Sequence, residues 1–142
     1  MDGGGTYTLL VTLDEDARIA FGAAGERALP TGTYAYVGTA LGPGGFSRVE
    51  RHRELARGER ETRHWHVDYL LGHPSSDVAS AVTTPDVDAE CRVAGALGER
   101  VTPVTGLGAS DCTCETHLFG PAEPDELGGA VRAAHEAVRE DG

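Results

Sequence analysis

Arg48 and His52 stand four residues apart in a segment, 46–57, whose apolar positions at Phe46, Val49, Leu55 and Ala56 predict one helix ended by Gly58. That spacing puts both on one helix face. There a guanidinium can clamp a phosphate through two hydrogen bonds, and an imidazole can donate to it or relay a proton. The competing reading is a solvated helix laced with Arg–Glu pairs. A second constellation, Cys112-x-Cys114-x-x-His117 with Cys91 elsewhere, offers four soft or borderline ligands suited to tetrahedral zinc. Small buried thiols are the plainer alternative. Three cysteines behind a start, MDGGGTYT, that lacks the layout of an export signal give no expectation of disulfides. Taken singly, Tyr36 reads as a half-buried strand aromatic, and Asp68 as either a helix cap or an acceptor orienting His64 or Arg48.

Charge is unevenly distributed. Residues 48–63 hold six of the twelve Arg against four Glu, a local charge of +2, while the whole chain carries −11 and contains no Lys. An acidic, Lys-free chain fits a protein adapted to molar salt, where carboxylates keep the surface hydrated and screening lengths fall to about 3 Å. An ordinary acidic protein from a GC-rich genome is the alternative. Either way the net charge argues against indiscriminate coating of DNA. No apolar stretch approaches the roughly 18 residues that cross a bilayer, so a cytoplasmic protein without membrane contact is expected. At 142 residues the chain fits one domain, 1–142.

The elements that must position these groups are legible from periodicity. YTLLVTL (7–13) is rich in Thr and branched apolars and predicts a strand, with Asp14-Glu15-Asp16 as a turn. RIAFG (18–22) and the segment ending at Leu29 predict a hairpin, and Pro30-Thr31-Gly32 turns the chain into the strand TYAYVG (33–38), with Tyr34 and Tyr36 on one face and Val37 on the other. HWHVDYLL (64–71) opens a short helix or turn, and DVASAVTT (77–84) a strand. Asp86 or Asp88 would cap a helix over 88–98 carrying Val93 and Leu97 on one face. A loop over 106–114, a short strand THLF (116–119) and a helix over 124–140, with Leu127, Val131, Ala134 and Val138 at helical spacing, complete an α+β chain. Its sheet is expected to be small, mainly antiparallel and flanked by helices.

From position 5 to about 119, the order and type of the polar residues resemble the GIY-YIG nuclease class. Gly5-Thr6-Tyr7 is similar to the GIY element and Tyr36-Val37-Gly38 to the YIG element; Arg48-x-x-x-His52 and Glu90 follow in the class's order. The likeness is to its archaeal and bacterial branch described as a domain of unknown function, through GTYAYVG (32–38), RHRE (51–54), HWHVDYLL (64–71), EC (90–91) and SDCTCETHLF (110–119). Two features depart from the class. The RIAFG hairpin separates GTY from YVG as an insertion, so that Gly32-Thr33-Tyr34 is an alternative GIY copy, and the class's late asparagine has only Ser110 or Asp111 in its region.

The resemblance implies a GIY-YIG-like core over about 5–120 and an endonuclease that hydrolyses phosphodiester bonds in nucleic acid, DNA rather than RNA, with no added DNA-reading module. It implies Tyr36 as general base or water-positioning phenol with Tyr7 beside it, Arg48 and His52 at the phosphate, and His66 or His64 near the scissile bond. Glu90 is the implied carboxylate holding one Mg²⁺ or Mn²⁺. A non-catalytic nucleic-acid-binding module and a zinc-stabilised interaction domain are the rivals.

Overall fold

The central strands of the sheet are buried on both faces. The computed structural model describes residues 4–21, 25–40, 47–57, 66–73, 75–85, 89–104 and 117–141, of which 47, 48, 66–68 and 139–141 by backbone only. The expected elements form in the expected order. They are β1 (Gly5–Leu13), β2 (Ala17–Ala20), β3 (Glu26–Leu29), β4 (Gly32–Thr39), α1 (Ser47–Ala56), α2 (His66–Leu71), β5 (Ser76–Pro85), α3 (Glu90–Gly98), β6 (Leu118–Ala122) and α4 (Pro124–Asp141). The protein is α+β, with a four-stranded antiparallel sheet ordered β5-β1-β4-β6 and a separate two-stranded sheet made by β2 and β3.

Each face of the large sheet has its own core. Tyr7, Leu9, Val11 and Leu13 of β1 and Tyr34 and Tyr36 of β4 point to one side, where Val49 and Leu55 of α1, Leu70 and Leu71 of α2, and Ile19 and Leu29 of the hairpin cover them. The hairpin inserted between β1 and β4 therefore extends this core. On the other side Leu10, Ala35 and Val37 meet Val93, Ala94 and Leu97 of α3 and Leu127, Val131, Ala134 and Val138 of α4. Burying a Leu or Val side chain contributes roughly 1.5–3 kcal/mol, so these stripes hold the helices in place far better than propensity alone.

One local expectation is corrected. Helix α3 starts at Glu90, and its N-cap residue is Ala89 with no side-chain cap, not Asp88 or Asp86. A long-range contact replaces the local one: the Ala89 N–H donates to Thr6 Oγ1 at 2.8 Å, so β1 satisfies a helix-start donor. His135, which the sequence reading does not single out, lies four residues after Val131 on the apolar face of α4 and is fully buried. Its ring nitrogens bond Thr8 Oγ1 of β1 and Thr84 Oγ1 of β5, each at 2.8 Å. Those bonds allow a polar ring where the stripe demands an apolar one.

Tyr34 is held within the core. Fully buried, it donates its hydroxyl to the Pro30 carbonyl at 2.6 Å, and its pKa is pushed up to about 12, first by burial and then by the Asp16 carboxylate. A raised folded-state pKa adds stability that is intact below the unfolded value near 10 and is lost as pH climbs through 12. Two pKa units correspond to about 2–3 kcal/mol. Tyr34→Phe is accordingly expected to be less stable than the wild type below pH 10, with the gap closing by pH 12. Urea midpoints measured across that range check this, and a gap constant with pH would contradict it.

Candidate functional site at one end of the sheet

Register brings the separate sequence blocks to one end of the large sheet. Tyr7 of β1 pairs with Gly38 of β4, and Leu9 with Tyr36, so the two tyrosines are diagonal neighbours on the face covered by α1. Helix α1 turns His52 inward between them. The Tyr7 hydroxyl and His52 Nε2 share a 2.9 Å hydrogen bond whose direction follows the imidazole tautomer. The Tyr7 and His52 rings lie 5.8 Å apart, and the Tyr36 ring meets His52 edge-on at 6.3 Å. His52 is fully buried and Tyr7 nearly so, whereas Tyr36 keeps 8% of its surface exposed. Tyr36 is thus the member nearest to solvent.

The glycine of Tyr36-Val37-Gly38 has a steric reason. A Cβ on Gly38 would stand 2.7 Å from both Cζ and Oη of Tyr7, so the bare backbone is what lets the Tyr7 ring cross β4 and reach His52. Alanine in a strand ordinarily gains roughly 0.5–1 kcal/mol over glycine, but overpacking a core costs about 1–3 kcal/mol, and at this distance the clash dominates. Gly38→Ala should therefore destabilise the wild type by about 1–2 kcal/mol and cost almost nothing in a Tyr7→Ala background. Denaturant midpoints of the four proteins give the coupling. Equal costs in both backgrounds would mean that Tyr7 is not what Gly38 makes room for.

Glu90 and His117 form a second group at the same end, on the side covered by α3. His117 immediately precedes Leu118, the register partner of Tyr36, and its backbone carbonyl accepts the Val37 N–H at 2.9 Å. Its Nδ1 lies 3.5 Å from Glu90 Oε2, with the imidazole 1% and the carboxylate 13% exposed. The sequence reading set His117 beside the cysteines; the structure sets it beside Glu90. Cys91 is disulfide-bonded, contrary to the expectation of free thiols, and a disulfide sulfur is not the thiolate that zinc takes. Cys112 and Cys114 lie outside the described residues. Among the described residues no three or more of His, Cys, Asp and Glu gather as a metal-binding group.

Other anticipated members fall where less can be said. Arg48 lies in α1 one turn before His52, with its side chain outside the described residues, as are those of His66 and Asp68. His64, Arg63, Ser110 and Asp111 lie outside them altogether. Further along α1, Glu50 pairs with Arg57 at 3.2 Å; both are half exposed, so the pair adds little. Two cavities border other parts of the fold. One of about 820 Å³ lies between β6 and α4, lined by Arg100, Asp125 and Ala130 among others, and one of about 310 Å³ lies at the hairpin. No helix among the described residues is long and apolar enough to cross a membrane.

No curated protein and no solved structure matches the chain. The family described as a domain of unknown function, DUF123, matches residues 6–140, a span that holds Tyr7, Tyr36, His52, Glu90, His117 and all of the sheet but its first residue. The chain belongs to the DUF123 family.

Proposed function

We propose that the protein is a divalent-metal-dependent endonuclease of the GIY-YIG type, hydrolysing phosphodiester bonds in nucleic acid, DNA before RNA. The observation that carries this reading is the convergence of three distant blocks, Tyr7, Tyr36-Val37-Gly38 and His52, in one buried cluster at the sheet end where Glu90 also enters.

In this reading Tyr36 positions the attacking water and takes up its proton. Tyr7 and His52 are positioning residues: buried and bonded to each other, they present the imidazole against which the Tyr36 ring packs edge-on. Arg48, on the helix face that His52 shares, is assigned the charge growing on the phosphate oxygens. Arg51 and Arg53 of the same helix extend that charge on an otherwise acidic chain. Glu90 is the residue that would hold Mg²⁺ or Mn²⁺. A single largely buried carboxylate at a helix start suits a hard cation that keeps most of its waters. Such an ion polarises a phosphoryl oxygen and eases departure of the leaving oxygen.

The test is cleavage of labelled single-stranded, duplex and branched DNA, and of RNA, with Mg²⁺ or Mn²⁺ at low and at molar KCl. Shortened products that vanish with chelator are expected. No cleavage of any of these substrates under any of these conditions would remove the reading.

A further inference from the structure

The separation of Glu90 and His117 is informative. A charge-assisted hydrogen bond between a carboxylate and an imidazolium closes to about 2.7–2.9 Å, but Glu90 Oε2 and His117 Nδ1 stand 3.5 Å apart. Two ligands each about 2.0–2.2 Å from a shared ion are ~3.0 Å apart at a right angle and ~3.5 Å apart at the tetrahedral angle. The observed spacing is that of an ion pair without a short hydrogen bond; it also matches the tetrahedral-angle edge and is wider than the right-angle edge.

Both groups are also held in place from behind. The carbonyl of His117 accepts the Val37 N–H of β4, and the N–H of Ala89, next to Glu90, donates to Thr6 of β1.

We propose that Glu90 and His117 together are the protein's share of a divalent-cation site, and that the imidazole makes this site prefer first-row transition ions, Mn²⁺ among them, to Mg²⁺. One hard oxygen and one borderline nitrogen form a mixed donor pair. Mg²⁺ demands oxygen ligands in near-ideal octahedral geometry, whereas transition ions accept imidazole readily. Both side chains are largely buried, so a cation there also offsets the cost of a carboxylate withdrawn from water. The remaining positions are left to water and to a phosphate oxygen. The inference rests on the endonuclease reading for the assignment of Glu90 to a cation, but its test needs no cleavage.

Mn²⁺ titrated into the purified full chain is followed by electron paramagnetic resonance, and nitrogen coupling to the bound ion by pulsed methods, in unlabelled and ¹⁵N-histidine-labelled protein. One Mn²⁺ per chain with histidine nitrogen coupling is expected. His117→Asn, checked for folding by near-ultraviolet circular dichroism, should lose that coupling and bind Mn²⁺ at least tenfold more weakly, while its Mg²⁺ affinity falls less. Mn²⁺ bound without histidine coupling in the wild type overturns the proposal even if the variant does not fold. So does coupling that survives in a folded His117→Asn. Nucleic-acid cleavage without histidine coupling removes the pair and keeps the endonuclease; histidine-coupled Mn²⁺ without cleavage supports the pair and removes the endonuclease.

Discussion

In Glu90→Gln, divalent-metal-dependent cleavage is expected to fall to background, at least a thousandfold, with the fold intact. The amide preserves the shape of the side chain and one oxygen donor, but it removes the negative charge that holds a hard cation. An ion that polarises a phosphoryl oxygen supplies several kcal/mol of transition-state stabilisation, and each 1.4 kcal/mol is a factor of ten. Stability should change far less. Helix α3 is held by burial of Val93, Ala94 and Leu97 and by the Ala89–Thr6 bond, none of which involves the carboxylate. The local loss is a favourable charge in the first helical turn, worth roughly 0.3–1 kcal/mol. Turnover at several metal concentrations, beside the thermal midpoint, separates the two effects. Full activity in the variant would remove Glu90 from the metal assignment.

Strands and helices were legible because their period is local. The alternation of TYAYVG marked its faces correctly, and the Leu127, Val131, Ala134, Val138 stripe marked the buried side of α4. Contacts between distant segments were not legible. The start of α3 invited an aspartate cap because local rules favour one, yet Thr6, far back in the chain, supplies the acceptor. Local spacing groups His117 with the cysteines that precede it, but its place beside Glu90 depends on the β4–β6 register, which that spacing does not carry. The burial of His135 is not legible locally because only the fold brings Thr8 and Thr84 to its ring nitrogens. The choice between Tyr7 and Tyr34 as the partner of Tyr36 was open for the same reason. Both face the side of the sheet that Tyr36 faces, and only distance shows Tyr7 bonded to His52 while Tyr34 is bonded to Pro30.

That geometry makes the tyrosines separable by experiment. Tyr36→Phe is expected to lower kcat by two orders of magnitude or more with KM little changed, the usual value of a positioned acid or base acting in the chemical step. An ordinary phenol with a pKa near 10 is ionised only to about 0.1% at pH 7, so assisting its ionisation calls for up to ~4 kcal/mol from its surroundings. Removing the hydroxyl forfeits that whole arrangement while leaving the ring packed edge-on against His52. Tyr7→Phe should have a smaller effect, because its hydroxyl acts through His52; the loss should show as a changed pH profile of kcat and in a lowered midpoint from a buried imidazole deprived of a partner. Tyr34→Phe should keep near-normal turnover, since its hydroxyl is engaged with the Pro30 carbonyl and its high pKa keeps it protonated throughout the working range. Steady-state kinetics of the three variants on one substrate, from pH 6 to 9, distinguish these roles. An inactive Tyr34→Phe beside a normal Tyr36→Phe would move the catalytic phenol two residues back along β4 and reduce the Tyr7–His52–Tyr36 cluster to core packing.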